Sequence, residues 1–109
     1  MIQFEPVKHK FIRHTEYEVA DALGYIPGMV TEGIGIPVRE QLDANYVAGW
    51  HKFEGFTFDK DQSMLTYPSD PAIYAIARAQ VGDETILVFP HAWVLILQAD
   101  GSWEVARMN

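Results

Sequence analysis

The sequence predicts a single α+β domain, in which two short N-terminal helices precede an antiparallel β-sheet formed as a C-terminal meander. Three observations predict it: helical periodicity comes early in the chain, strand periodicity follows from Phe53 onward, and Asp100-Gly101 is a strong hairpin signal near the end. Segregation of helices and strands along the chain is typical of α+β folds. The chain has 109 residues, of which 49% are hydrophobic, so we expect residues 1–109 to form one domain with its own core.

The N-terminal part predicts short strands and the first helix. Residues 2–5 and 10–13 are expected to form short strands. Thr15 and Glu18 have the spacing of a capping box, in which each side chain bonds to the backbone amide of the other residue. We therefore expect a helix over residues 16–23.

A second helix is predicted after the glycine-rich, irregular segment 24–36. Pro37 suits a first helical turn, because proline lacks the amide hydrogen that would be unpaired there. Apolar residues then recur every four positions and are expected to face the core: Val38, Leu42, Tyr46 and Trp50. His51 and Lys52 would lie at the C-terminal end of this helix, where positive charge suits the helix dipole.

The middle of the chain predicts a hairpin and one further strand. Phe56–Tyr67 alternates in polarity around a polar turn at residues 59–63, which is typical of a β-hairpin. Residues 73–81 fit both a strand and a helix, and their regular alternation favours the strand. Gly82-Asp83 provides a tight turn after it.

The C-terminal third predicts the meander most clearly. Ile86–Phe89 and Trp93–Leu97 are strands divided at Pro90-His91, and Trp103–Met108 follows a type I′ turn at Asp100-Gly101. The first two strands are apolar on both sides, whereas a sheet with one wet face would alternate in polarity. We expect them to be central and covered on both faces, either by the Phe56–Tyr67 hairpin and other parts of the chain or by a second copy.

Charge and cysteine content exclude several classes of function. Eight Lys and Arg against fifteen Asp and Glu give a formal charge of -7, which disfavours direct binding to nucleic acid or to an anionic membrane. Cysteine is absent, which excludes disulfides and thiolate chemistry and fits a reducing compartment. Neither a signal peptide nor an apolar segment of membrane-spanning length is visible, so we expect a cytoplasmic protein.

No motif in the sequence specifies a reaction. The four histidines, at positions 9, 14, 51 and 91, have no recognised zinc spacing, so neither a metal nor a cofactor is expected. His91 is the most suggestive, because it separates the two most apolar strands. It could serve as a general base in a pocket, or simply occupy a tight turn with a ring nitrogen bonded to the backbone. The candidate ligand-binding residues are His51, Arg78, His91 and Trp93.

The leading functional hypothesis is a small non-enzymatic interaction module that associates with itself and acts on a protein partner. It rests on the missing catalytic motifs and on the surplus of apolar strand surface, which a homodimer would cover. The alternative is a small pocket enzyme or ligand-binding protein that uses His51, Arg78 and His91. A third hypothesis is an acidic decoy that inhibits a nucleic-acid-handling protein, although the carboxylates are scattered rather than clustered.

Overall fold

A computed structural model describes residues 4–10, 12–15, 18, 50–68 and 70–108. These residues form a six-stranded antiparallel sheet in the order β1-β6-β7-β8-β9-β2 and a three-stranded sheet in the order β3-β4-β5. The strands are β1 (Glu5–Pro6), β2 (Trp50–Phe53), β3 (Thr57–Asp59), β4 (Met64–Thr66), β5 (Ile73–Tyr74), β6 (Ala77–Val81), β7 (Glu84–Val88), β8 (Trp93–Leu97) and β9 (Trp103–Met108). One turn of 3₁₀ helix, Pro90–Ala92, joins β7 to β8.

The predicted α+β class is wrong for the described part of the chain, which is almost entirely antiparallel sheet. The second predicted helix fails where it can be tested, because Trp50, His51 and Lys52 belong to β2, which pairs with β9. Exposure along β2 alternates, with Lys52 exposed between half-buried neighbours, so a period of two replaces the four-residue spacing. The other positions assigned to that helix, Val38, Leu42 and Tyr46, lie outside the described residues.

The predicted N-terminal features are partly confirmed. Both bonds of the capping box exist: Glu18 N donates to Thr15 Oγ1 (3.1 Å) and Thr15 N donates to Glu18 Oε1 (3.4 Å). The helix predicted over residues 16–23 lies outside the described residues, apart from Glu18. Of the two expected strands, the described residues contain only β1, which is displaced to include Pro6. A proline is tolerated there because β1 is an edge strand of the sheet.

The C-terminal meander is confirmed, since β6, β7, β8 and β9 pair consecutively and antiparallel. The hairpin at Asp100-Gly101 is confirmed as well, but its type I′ turn is wrong. Gly101 has φ +92°, whereas Asp100 is not among the described residues with positive φ. Gly101 N donates to Gln98 O (3.0 Å) and Gln98 N to Ser102 O (2.8 Å), which closes a three-residue loop. The Asp100 carboxylate fixes this loop by accepting the Ser102 amide (2.9 Å).

Both faces of the central strands are buried, as predicted. The three-stranded sheet contributes Leu65 to the core of one face, with Phe58 and Ile73 packed against it, so the Phe56–Tyr67 hairpin covers that face. The larger sheet contributes Leu87, Phe89, Leu95 and Val105 to the same core. On the opposite face, the buried residues include Ala77, Ile86, Val94, Ile96 and Ala106. Because one chain buries both faces, these faces no longer argue for a homodimer, which stays a prediction.

Residues 73–81 form strands rather than a helix, as their alternation predicted. They do not form one continuous strand, because the chain passes from one sheet to the other within them. Strand β5 pairs with β4, whereas β6 pairs with β1 and β7. The crossing consists of Ala75 and Ile76, both buried. Ala75 N donates to Ser63 O (2.9 Å), and Ile76 N donates to Val88 O (2.7 Å). Their carbonyls accept the His9 Nε2 hydrogen (2.7 Å) and the Val7 amide (2.9 Å), so three other segments meet this dipeptide.

Candidate functional site

Two of the four predicted site residues meet at Arg107. His51 on β2 and Trp93 on β8 each lie directly opposite Arg107 on the intervening strand β9. Opposed residues of an antiparallel pair project from the same face of a sheet, with Cβ atoms about 5 Å apart. The three side chains therefore form a row across three strands, on the face that the three-stranded sheet covers further along.

His91 joins this row through its backbone. It lies in the 3₁₀ turn with φ +63°, a left-handed conformation in which histidine is enriched among non-glycine residues. Its carbonyl oxygen accepts a hydrogen bond from Arg107 Nε (2.8 Å), and its side chain is exposed. His91 therefore lies in a tight turn, and the bond to Arg107 uses its carbonyl oxygen rather than a ring nitrogen.

Arg107 is held from two sides. Besides the bond to His91, its guanidinium carbon lies 5.1 Å from the centroid of the Trp93 ring, within the range of a cation–π contact. Such stacking leaves the edge of the guanidinium fork available for hydrogen bonds, the geometry that carboxylates accept in a bidentate way. Among the described residues, no carboxylate pairs with Arg107.

A cluster of aromatic rings extends from Trp93. Phe53 and Phe56 each pack edge-on against Trp93, with ring centroids 4.9 Å apart in both pairs, and Phe56 contacts Tyr67, also at 4.9 Å. Tyr67 is 38% exposed, whereas the other three rings are half-buried. We call this set, Phe53, Phe56, Tyr67, Trp93 and Arg107, the aromatic surface.

Gly55 allows the aromatic surface to close around Tyr67. It has φ +94°, and a Cβ built on it would lie 2.9 Å from Tyr67 Cε2, too close for an unshifted ring. Glycine is the one residue that adopts this positive φ without strain and has no Cβ to collide with the Tyr67 ring. The short link from β2 to β3 can therefore pass beneath the Tyr67 ring, which keeps Phe53 and Phe56 on the same surface.

Arg78 lies apart from the other predicted residues. It is on β6, separated by β7 from the strand that carries Trp93, which is two strand spacings or roughly 10 Å. Arg78 lines a different cleft, between the two sheets, together with Lys60, Phe58 and Leu97. The structure thus brings together His51, His91 and Trp93 but not Arg78.

Four members of the aromatic surface were not among the predicted site residues. Phe53 and Phe56 give no signal of their own in the sequence, because aromatic residues are as ordinary in the core of a small domain as at a binding surface. The position of Arg107 could have been inferred from the sequence. Trp103, Val105 and Arg107 occupy alternate positions of one strand, so their side chains share one face of the sheet. Pairing that strand with Trp93–Leu97 through the Asp100-Gly101 hairpin places Arg107 near Trp93.

Within the residues that the structure describes, no three His, Asp or Glu side chains are grouped to hold a metal ion. The same residues contain no helix of the length and apolarity needed to cross a membrane. Comparisons with protein-family models, with curated proteins and with solved structures gave no match.

Proposed function

We propose that this protein is a small, cytoplasmic, non-enzymatic interaction module that binds a protein partner through the aromatic surface. The observation that carries the proposal is Trp93, half-buried between two phenylalanine rings and stacked by Arg107. Tryptophan, tyrosine and arginine are the residues most enriched where alanine substitution abolishes protein–protein binding. The cysteine-free composition supports the reducing compartment.

The rigidity of the aromatic surface supports binding. Trp93 and Arg107 lie on paired central strands, and Phe53 lies on the strand beyond them. Side chains fixed by packing lose little conformational entropy when a partner binds, so more of the contact energy appears as affinity.

The pocket-enzyme alternative has less support. It needs ionisable groups that converge on one point, and Arg78 lines a different cleft from His51 and His91.

Charge supports an acidic partner segment. Arg107 is a half-buried cation whose Nε–H is bonded to the His91 carbonyl, and no carboxylate among the described residues pairs with it. A complementary partner would place a carboxylate against Arg107 and an apolar side chain against Phe56 and Tyr67. A second copy is the first partner to test, because each copy carries fifteen acidic side chains and two-fold dimers are the commonest oligomers.

Sedimentation equilibrium at micromolar concentration tests self-association. We expect a concentration-dependent mass above 12.4 kDa for the natural sequence. Tyr67→Ala and Arg107→Gln should each weaken association roughly tenfold, the effect of removing a typical hot-spot side chain. Arg78→Gln, an exposed cation of the other cleft, is the matched control and should leave association unchanged.

A second experiment covers a different protein as partner. A photo-crosslinking amino acid replaces Tyr67 in one variant and the exposed Gln80 in a control variant, both expressed in the native host. Products formed from position 67, absent from position 80 and lost when Arg107→Gln is added, would support the proposal. A monomer at every concentration, together with crosslinks that do not depend on Arg107, would overturn it.

A further inference from the structure

A second site lies at the opposite edge of the larger sheet, where the N-terminal segment packs on the crossing between the sheets. Val7 N bonds to Ile76 O (2.9 Å), and His9 Nε2 bonds to Ala75 O (2.7 Å). The His9 ring then packs edge-on against Tyr74 (5.3 Å between centroids) and against His14 (5.8 Å). These contacts place two histidine rings side by side on a fixed support.

Positive charge is concentrated at this place. Lys8, Lys10 and Arg13 are three of the eight Lys and Arg of a chain whose formal charge is -7. They line two cavities, of about 340 and 470 Å³, that share Lys8 and His9 in their walls. The larger cavity also has Arg13 and His14 in its wall. A volume of this size suits a small molecule rather than a macromolecular segment.

His14 has a buried nitrogen without a partner. Its side chain is 11% exposed, and Nδ1 lies 3.3 Å from Glu18 Oε2. Nε2 is fully buried and has no hydrogen-bond partner among the described residues. Buried side-chain nitrogens are nearly always bonded to protein or to ordered water, so an orphan in a cavity wall indicates a missing partner.

The charges around His14 determine which partner fits. The charged and titratable groups of the N-terminal segment that face the two cavities or the ring itself are Lys8, His9, Lys10, Arg13 and Glu18. Asp61 and Tyr74, from neighbouring elements, line the smaller cavity. Three fixed cations within six residues repel a metal ion but attract an anion. His14 Nδ1 lies against the Glu18 carboxylate, so the partner that Nε2 lacks belongs on the opposite edge of the ring.

We propose that the cavity beside His14 binds a small molecule bearing a phosphate, sulfate or carboxylate group. The anion accepts a hydrogen bond from the Nε2–H of His14, and Arg13 and Lys8 supply the surrounding positive charge. Glu18 acts as a positioning residue, because it orients the ring through Nδ1 without reaching the cavity side. This site is independent of the aromatic surface, and either can exist without the other.

Sulfate is the probe of choice, because it keeps both of its negative charges at neutral and mildly acidic pH. We expect saturable binding of sulfate to the full chain, followed through the imidazole nitrogen resonances of His14 by NMR. The measurement is made near pH 6, and inorganic phosphate at that pH should bind in the same place.

Variants separate the site from general charge attraction. His14→Gln and Arg13→Gln should each lower sulfate affinity by about tenfold. Lys60→Gln, which removes an exposed cation from the other cleft, is the control and should bind like the natural sequence. Arg13 is exposed, so its variant keeps the test informative even where His14→Gln fails to fold.

Three results would overturn the proposal: no saturable binding of sulfate or phosphate near pH 6, an equal loss of affinity in Lys60→Gln, or His14 resonances that respond to Zn²⁺ but not to sulfate. Vesicles of phosphatidylglycerol distinguish a lipid headgroup from a free ligand. Binding to such vesicles without saturable binding of the free anions would also overturn it.

Discussion

Arg107 and His91 are joined by a hydrogen bond from the guanidinium Nε to the backbone carbonyl oxygen at 2.8 Å, although sixteen positions separate them in the chain. The bond ties the last strand to the 3₁₀ turn before β8 and keeps the guanidinium over the Trp93 ring. The left-handed backbone conformation of His91 turns its carbonyl toward β9. The position of the Arg107 guanidinium on the aromatic surface therefore depends on the backbone conformation of His91.

Replacing Arg107 by lysine should therefore destabilise the protein although the charge is kept. Lysine has no Nε–H of the same geometry and stacks less well on an aromatic ring. We expect the free energy of unfolding, measured in urea, to fall by about 1 kcal/mol, the usual value of one hydrogen bond. Arg78→Lys is the matched control and should stay within about 0.5 kcal/mol of the natural sequence. Equal values for the two variants would contradict the role given to Nε.

Gly55→Ala should cost more than Gly82→Ala. Both glycines have positive φ, so each substitution carries a backbone cost of about 1–2 kcal/mol. At Gly82 nothing lies within 4 Å of the new Cβ, whereas at Gly55 the Tyr67 ring must move and lose its contact with Phe56. We expect an additional loss of about 0.5–1.5 kcal/mol, the value of one aromatic pair. The additional loss should vanish in a Tyr67→Ala background, and its persistence there would show that the ring is not its cause.

Leu95→Ala tests the core between the two sheets. Leu95 is fully buried and belongs to the cluster that includes Leu65 of the smaller sheet. Removing its methyl groups should lower the free energy of unfolding by about 2–5 kcal/mol, because the site is enclosed on all sides and leaves a cavity. Leu97→Ala, at the half-buried end of the same strand, should cost clearly less. A loss below about 0.5 kcal/mol at Leu95 would contradict the packing of the two sheets.

Glu18→Gln should change the response of the protein to acid. The hydrogen bond with His14, followed by the bond to the Thr15 amide, lowers the pKa of Glu18 below its ordinary value. A carboxyl group whose pKa is lower in the folded state stabilises that state fully above its unfolded pKa of about 4.3. This contribution is lost as the pH falls through the lower, folded value. The natural sequence should be the more stable of the two near pH 7, and the difference should shrink below about pH 4. A constant difference across urea titrations at these pH values would contradict the prediction.

The meander and the hairpin could be predicted because their signals are local: alternation of polarity within strands and turn residues between them. Strand β2 could not be predicted, because its partner β9 lies some fifty positions away and the four-residue spacing that ends at Trp50 resembles a helix. The change of sheets at Ala75 was equally hidden, since alternation continues through it without a break. At the aromatic surface, Trp93 was singled out for its place in an apolar strand, whereas Arg107 acquires its role only from the register of β9 against β8.

The backbone groups of Ala75 and Ile76 make four hydrogen bonds to three separate stretches of chain: the turn before β4, the end of β7, and the N-terminal segment through the Val7 amide and the His9 ring. No single stretch can detach without leaving a polar group of this buried dipeptide unpaired. Local fluctuations that would free one sheet and keep the other intact are therefore suppressed, and the two sheets open together. In native-state hydrogen exchange, the amides of Ala75 and Ile76 should exchange only through global unfolding, at a rate that follows the stability of the whole domain.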